Sequence, residues 1–384
     1  MKKILSVILV LNILLLSLSF SSSALNEGAV EVKAKSAVLM DFSTGKVLFS
    51  KNENEKLYPA SVTKIMPMLL FMEALDSGKI SLTDVVTTSS NAAGKGGSQI
   101  WLKEGETMTV DELLKATAIG SANDAVTALG EHIAGSEEGF VKMMNERAKQ
   151  LGMVNTNFEN CSGLDDDTTT HLTTAYDVAL MSAELLRHDR IKQYTTVWMD
   201  SLRDGATQLV NTNRLVRFYP GTTGLKTGTT EKAGHCLAAS AERDGMHLVA
   251  VVMGAENSND RFESAKNLLN KGFADYVSFV PEVDSGLLTE VEVIRGVQER
   301  IKPHVVSTKT VTLKKEDRQK LETQVELAKD VEAPVSENQI LGKMIFKVGD
   351  ETVCEYKLVA KDAVEKIDIV YILHSFLKSL TKSA

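Results

Sequence analysis

Read for hydrophobic periodicity, the chain alternates between strand-like and helical stretches after its apolar N-terminal run. Ser36 to Met40 and Lys46 to Ser50 read as two strands joined by a turn over Asp41 to Gly45. From Ala60 to about Leu75 apolar positions recur at helical spacing. The pattern returns over Val110 to Ala118, Asp124 to Ala134, Glu138 to Leu151 and Thr173 to Leu186. Strand-like runs follow at Gly224 to Thr229, Cys236 to Arg243 and His247 to Met253, the last two joined across the hairpin dipeptide Asp244-Gly245. Ser264 to Phe273 then reads as a helix. This order predicts an α+β domain, a helical block beside an antiparallel sheet, ending near residue 278.

Past Pro281 the period shortens to two. Val291 to Ile294, His304 to Leu313, Gln324 to Ala328 and Ile340 to Lys347 read as strands, and Val353 to Val359 turns back across Gly349-Asp350. Residues 281–361 are therefore expected to form a small all-β domain. From Asp362 helical spacing resumes, with Ile369, Leu373, Phe376 and Leu380 on one face and Lys378 and Lys382 largely off it. A terminal amphipathic helix over 362–384 with lysines on its polar side suits a membrane surface. Docking on its own domain is the alternative.

Composition sharpens the compartment. Lys2 and Lys3, an apolar run from Ile4 to about Phe20, and small residues through Ala24 follow the order of a secretory signal over residues 1–24. The expected mature chain starts near Leu25, so that the catalytic domain would span 25–278 and the protein would be exported. Forty-three basic against 51 acidic residues give net −8, which disfavours nucleic acid as a partner. Cys161, Cys236 and Cys354 are too few for a disulfide framework, lack metal-ligand spacing and are expected to be small buried residues. The seven histidines include no H-E-x-x-H pair. No metal or organic cofactor is implied.

The chemistry lies in three short motifs. Ser61-Val62-Thr63-Lys64 opens the first long helical pattern, where residues three apart share a face, so Ser61 and Lys64 can touch. Serine needs a base to become a nucleophile, and a lysine in a dry pocket can have its pKa lowered enough to be that base. Ser121-Ala122-Asn123 falls between two helical patterns, and Lys226-Thr227-Gly228 opens the first of the later strands. Penicillin-binding proteins and class A β-lactamases combine S-x-x-K with a second serine-containing element and K-T-G.

With these motifs, the flanking Tyr58-Pro59-Ala60, Gly234-His235-Cys236-Leu237 and Arg261-Phe262, the chain resembles the low-molecular-mass penicillin-binding proteins that act as serine D-Ala-D-Ala carboxypeptidases. The resemblance covers nearly the whole length. It implies a penicillin-recognising, β-lactamase/transpeptidase-like catalytic fold that hydrolyses peptidoglycan stem peptides ending in D-Ala-D-Ala and is acylated by β-lactams. It further implies that Ser61 attacks the penultimate D-alanine carbonyl while Lys64 takes its proton. The backbone N–H groups of Ser61 and Thr229 would hold the oxyanion, and Ser121 would relay a proton to the leaving D-alanine. Asn123 would bind the substrate amide. Lys226 would lend positive charge to Ser121 and the substrate carboxylate, Thr227, Gly228 and Thr229 would line the strand edge, and Arg261 would grip the terminal carboxylate.

Pro67, inside the first helix, is expected to kink it or loosen its first turn. Asp165, Asp166 and Asp167 are expected to be solvated turn residues, His171 a packing residue, and Met66, Met68 and Met72 core. A secreted β-lactamase, a transpeptidase or endopeptidase, and a catalytically dead wall-binding protein remain as rivals. The first lacks a recognisable loop-glutamate pattern around Glu159, and the last has no need of the full motif set.

Overall fold

The structure is a computed structural model describing residues 30–374 other than 167. The proposed signal and the end of the terminal helix lie outside the described residues. A five-stranded antiparallel sheet organises the catalytic part. Its strands are β1 (Ser36–Asp41), β2 (Val47–Lys51), β3 (Thr222–Thr230), β4 (Gly234–Arg243) and β5 (Met246–Ala255), in the order β2-β1-β5-β4-β3. β5 is buried along its whole length, which explains its unbroken apolar run. Alternate residues face opposite sides: Val38 and Met40 of β1 join the large core under the helical block, whereas Leu39 faces the helix Ser258–Asp275 behind the sheet. At Gly272 of that helix a Cβ would lie 2.5 Å from Leu248 and 2.9 Å from Leu39, so glycine permits the close packing.

The helical block contains α1 (Ile65–Asp76), α2 (Val110–Ala118), α3 (Asn123–Ala134), α4 (Glu137–Gln150) and α5 (Ala175–Leu186). α2 starts on a capping box, in which Thr109 accepts from the Glu112 N–H and the Glu112 carboxylate accepts from the Thr109 N–H. The apolar faces share one core with Met66, Met68, Met72, Phe71 and Phe140. The rear helix, α6 (Ser258–Asp275), starts six residues before its sequence expectation. Its polar first turn carries no apolar period, and the Asn257 side chain, accepting from the Asp260 N–H, marks the start instead.

The C-terminal part begins its pairing early. Tyr276–Phe279, directly after α6, pairs antiparallel with Val311–Lys314. A four-stranded sheet then joins Pro303–Val305, Glu351–Ala360, Ile340–Val348 and Leu321–Leu327, around a core of Met344, Phe346, Tyr356 and Leu358. The expected strand His304 to Leu313 is two strands, broken over 306–310. Two further differences concern the chain end. Residues 362–368 are not helical: Val364 is buried among Val291, Val293 and Val335 and exchanges backbone bonds with Val335. Among the described residues helix begins at 369, and Ile369, Val370, Ile372 and Leu373 on it are exposed. No helix among the described residues is long and apolar enough to cross a membrane.

Candidate active site

The Ser61 segment is a 3₁₀ turn, Ala60–Lys64, that passes directly into α1. In a 3₁₀ helix residues three apart eclipse, so this geometry stacks Lys64 over Ser61 more squarely than an α-helix would. Pro67 occupies the first turn of α1, where its missing N–H leaves no intrahelical bond unmade. The looser first turn expected from this proline is the 3₁₀ segment ahead of it.

Lys64 is completely buried, and its Nζ lies 2.9 Å from Ser61 Oγ, 2.6 Å from Asn123 Oδ1 and 2.7 Å from the Ser162 carbonyl. Its three hydrogen-bond positions are thus filled. Burial is the main force on its pKa, pulling it down to about 7 against the weaker opposing fields of Cys161 and Asp124. A neutral Lys64 can accept the Ser61 proton along the same 2.9 Å line.

Asn123 is fixed on all sides. Its N–H donates to the Ser98 carbonyl at 2.7 Å, and its Nδ2 donates to the Gly96 carbonyl at 2.7 Å. The second Nδ2 hydrogen stays available to a ligand. Ser121 sits in the turn between α2 and α3 with φ +62, an uncommon conformation for a side-chain-bearing residue and one that collects at functional sites. Lys226 Nζ bonds the Thr227 carbonyl at 3.1 Å and makes no bond to Ser121 in this structure. Burial and the positive charges of Lys64 and Arg261 push the Lys226 pKa well below its ordinary value.

β3 forms the edge of the sheet, and its K-T-G residues run against the nucleophile turn. A Cβ at Gly228 would lie 2.7 Å from the Pro59 carbonyl oxygen and 2.9 Å from the Ser61 nitrogen. Only glycine lets the strand come this close. Thr227 Oγ1 donates to Thr212 at 2.6 Å, and Thr229 Oγ1 receives a bond from Arg261 at 2.9 Å. Arg261 lies behind the strand, nearly buried, and also donates to the Gly228 carbonyl at 3.0 Å. It reaches the site through Thr229.

Several contributors were not legible in the sequence. The Ser162 carbonyl is aimed at Lys64 by Asn160, whose Oδ1 accepts from the Ser162 N–H at 3.1 Å and the Gly163 N–H at 2.7 Å. Gly163, at φ +84, packs where any Cβ would collide with the Ala60 carbonyl. Asp165 is a correction: it is buried rather than solvated, bonded to Thr230 and, through its carbonyl, to Lys232, which ties this loop to the β3 end. His171 is a buried packing residue; it bonds Thr63 at 2.8 Å, and burial lowers its pKa to about 4. Glu159, the residue weighed as a hydrolytic base, is spent on Thr170. All three cysteines are free; Cys161 and Cys236 are buried, whereas Cys354 is half-buried.

Known proteins match this arrangement along the chain. Residues 22–257 fit the family model described as D-alanyl-D-alanine carboxypeptidase, well over half of the sequence. This chain belongs to that family. Residues 283–366 also fit the model of the penicillin-binding protein 5 C-terminal domain. Within the D-alanyl-D-alanine carboxypeptidases, the chain is 42% identical to DacF of Bacillus subtilis over 100% of both sequences. Penicillin-binding protein 5 of Haemophilus influenzae superposes with TM-score 0.77 at 30% identity, over 88% of this chain and 98% of that one. Penicillin-binding protein D2 of Listeria monocytogenes, solved in its ampicillin-bound form, aligns at 31% identity with TM-score 0.59, over 64% of this chain and 99% of that one.

Proposed function

We propose that the chain is an exported serine D-alanyl-D-alanine carboxypeptidase that removes the terminal D-alanine from peptidoglycan stem pentapeptides. The observation that carries this reading is the Ser61–Lys64 pair: a nucleophile 2.9 Å from a buried lysine held near neutrality.

Ser61 Oγ forms an ester with the penultimate D-alanine carbonyl as its proton passes to Lys64. The N–H groups of Ser61 and Thr229 receive the oxyanion, each such donor contributing about 2.7–4 kcal/mol in well-studied hydrolases. The C–N bond to the last D-alanine breaks as a proton reaches its amine through Ser121. Water then cleaves the ester and returns the proton to Ser61. The free second hydrogen of Asn123 Nδ2 suits the acyl-side amide, and the open edge of β3 suits a peptide added as a strand.

A substrate ending in a carboxylate fits the local charge. Burial first, and then the charges of Lys64 and Arg261, lower the Lys226 pKa; burial, helped by Arg214, lowers that of Arg261; an incoming anion would oppose both shifts. Lys226, Thr227 and Thr229 are assigned to that carboxylate, with Arg261 supporting Thr229. β-Lactams, which carry a carboxylate beside a reactive amide, are assigned to the same site; the ampicillin-bound Listeria relative supports this. The order of residues 1–24 supports export, and the exposed apolar residues over 369–374 support attachment of the C-terminal helix to the outer membrane surface. Residues 25–278 and 281–361 are read as the catalytic and all-β domains.

Release of free D-alanine from diacetyl-Lys-D-Ala-D-Ala tests the reading, with Ser61→Ala as control. Release by the wild type alone supports it. No release from either, with penicillin still labelling the wild type covalently, would replace it with a transpeptidase or a more selective wall peptidase.

A further inference from the structure

Trp101 is the most exposed aromatic ring among the described residues, at 73%, and its backbone is held at φ +61. A bulky side chain in that region is an outlier that persists only where its surroundings impose it. Here they do. The fully buried Asp124 carboxylate accepts from the N–H groups on both sides, Ile100 at 3.1 Å and Leu102 at 3.0 Å, and a left-handed residue between them lets both reach one acceptor. Ile100 and Leu102 point into the core, and Arg203 fixes the Ile100 carbonyl at 2.8 Å. The indole is thereby turned outward on a backbone that cannot yield. Glycine or asparagine would meet the backbone demand with less strain, so the large ring needs a reason outside the fold.

The loop carrying it supplies that reason. Its carbonyls at Gly96 and Ser98 hold Asn123, and a Cβ at Gly97 would lie 2.8 Å from Asn123 Nδ2, so this loop is the wall of the site on the Asn123 side. The cations Lys226 and Arg261 belong to β3 and its backing helix instead. We propose that Trp101 is a specificity-determining platform for the acyl-donor half of the substrate, stacking on the extended chain upstream of the scissile bond and on the leading side chain of β-lactams. This rests on the carboxypeptidase reading above. A rigid backbone leaves the indole only two torsions to fix, which suits it to stacking at low entropic cost.

Acylation by benzylpenicillin, whose leading group is a phenyl ring, compared with 6-aminopenicillanic acid, which lacks one, tests the assignment. The chain has two tryptophans, and Trp198 packs against Phe218, so Trp198→Phe leaves Trp101 as the sole reporter. Benzylpenicillin should shift its emission to the blue, and 6-aminopenicillanic acid should not. Trp101→Ala should lower the benzylpenicillin acylation rate constant about 3- to 10-fold while leaving that of 6-aminopenicillanic acid within about twofold. Trp101→Phe should restore most of the loss. Equal losses with both compounds would reduce Trp101 to a structural residue and overturn the proposal, as would a silent emission with unchanged rates. If neither compound labels Ser61 in the wild type, the catalytic reading fails and takes this one with it.

Discussion

Between Val32 and Asp275 the chain buries Asp41, Lys64, Asp124, Asp165, Asp177, Lys226 and Arg261; from Tyr276 to residue 374 no charged side chain is buried among the described residues. The charges of the C-terminal part stay at the surface, as in Lys343 with Glu355 and Arg295 with Glu332. The catalytic part sets a helical block against its antiparallel sheet, whereas the C-terminal part is nearly all strand. Burying a charge is costly unless each of its hydrogen-bonding positions is met. The catalytic part meets that demand for Lys64 with three partners, Ser61, Asn123 and the Ser162 carbonyl. The C-terminal part avoids the demand altogether. Lys64, Asp124, Asp165, Lys226 and Arg261 lie at or brace the site, whereas Asp41 and Asp177 hold turns and a helix start elsewhere.

Four substitutions probe that contrast, in falling order of effect on acylation. Lys64→Ala should slow penicillin acylation about 10²–10⁴-fold, the usual worth of a general base, with the folded state retained on circular dichroism. The wild-type pH profile sharpens this. Because burial lowers the Lys64 pKa to about 7, the proton-accepting amine dominates above that value and is lost below it. Acylation should therefore rise with pH and level off past about 7; a flat profile would remove Lys64 as the base.

Gly228→Ala sets a Cβ against the Pro59 carbonyl and the Ser61 nitrogen, an overpacking of about 1–3 kcal/mol that should lower acylation about 10- to 100-fold. Unchanged kinetics would mean that β3 is not positioned against the nucleophile as described. Asn160→Ala releases the turn that aims the Ser162 carbonyl, and stopped-flow acylation should slow about tenfold, with the pH midpoint displaced as Lys64 loses a fixed partner. Leu358→Ala, in the C-terminal core, should cost about 2–5 kcal/mol in a denaturant melt yet leave acylation at 25 °C untouched. A matching loss of acylation would break the contrast between the two parts.

Elements with their own periodicity were readable from sequence, and those defined by partners were not. Val110–Ala118 and Val291–Ile294 fall where the apolar spacing predicts them. Residues 362–368 do not, because Val364 is claimed by a distant cluster that no local pattern announces. The same division runs through the site. Ser61, Lys64, Ser121, Asn123 and the K-T-G strand carry side chains whose chemistry can be recognised at a distance. The Ser162 contribution is a backbone carbonyl, identical in every residue type, and only the fold aims it. Asp124 left a faint signal, a carboxylate within the apolar run Ala122 to Val126, but its role as a double acceptor for the 100–102 loop needed coordinates.

Pro67 separates two kinds of helix. The first bond that would lengthen α1 backwards runs from the N–H of residue 67 to the Thr63 carbonyl, and proline has no such N–H. Helix ends commonly fray. This one has a fixed origin. Residues 61–64 therefore stay outside the α-helical ladder, and growth of α1 cannot overwrite the 3₁₀ spacing that sets Lys64 against Ser61.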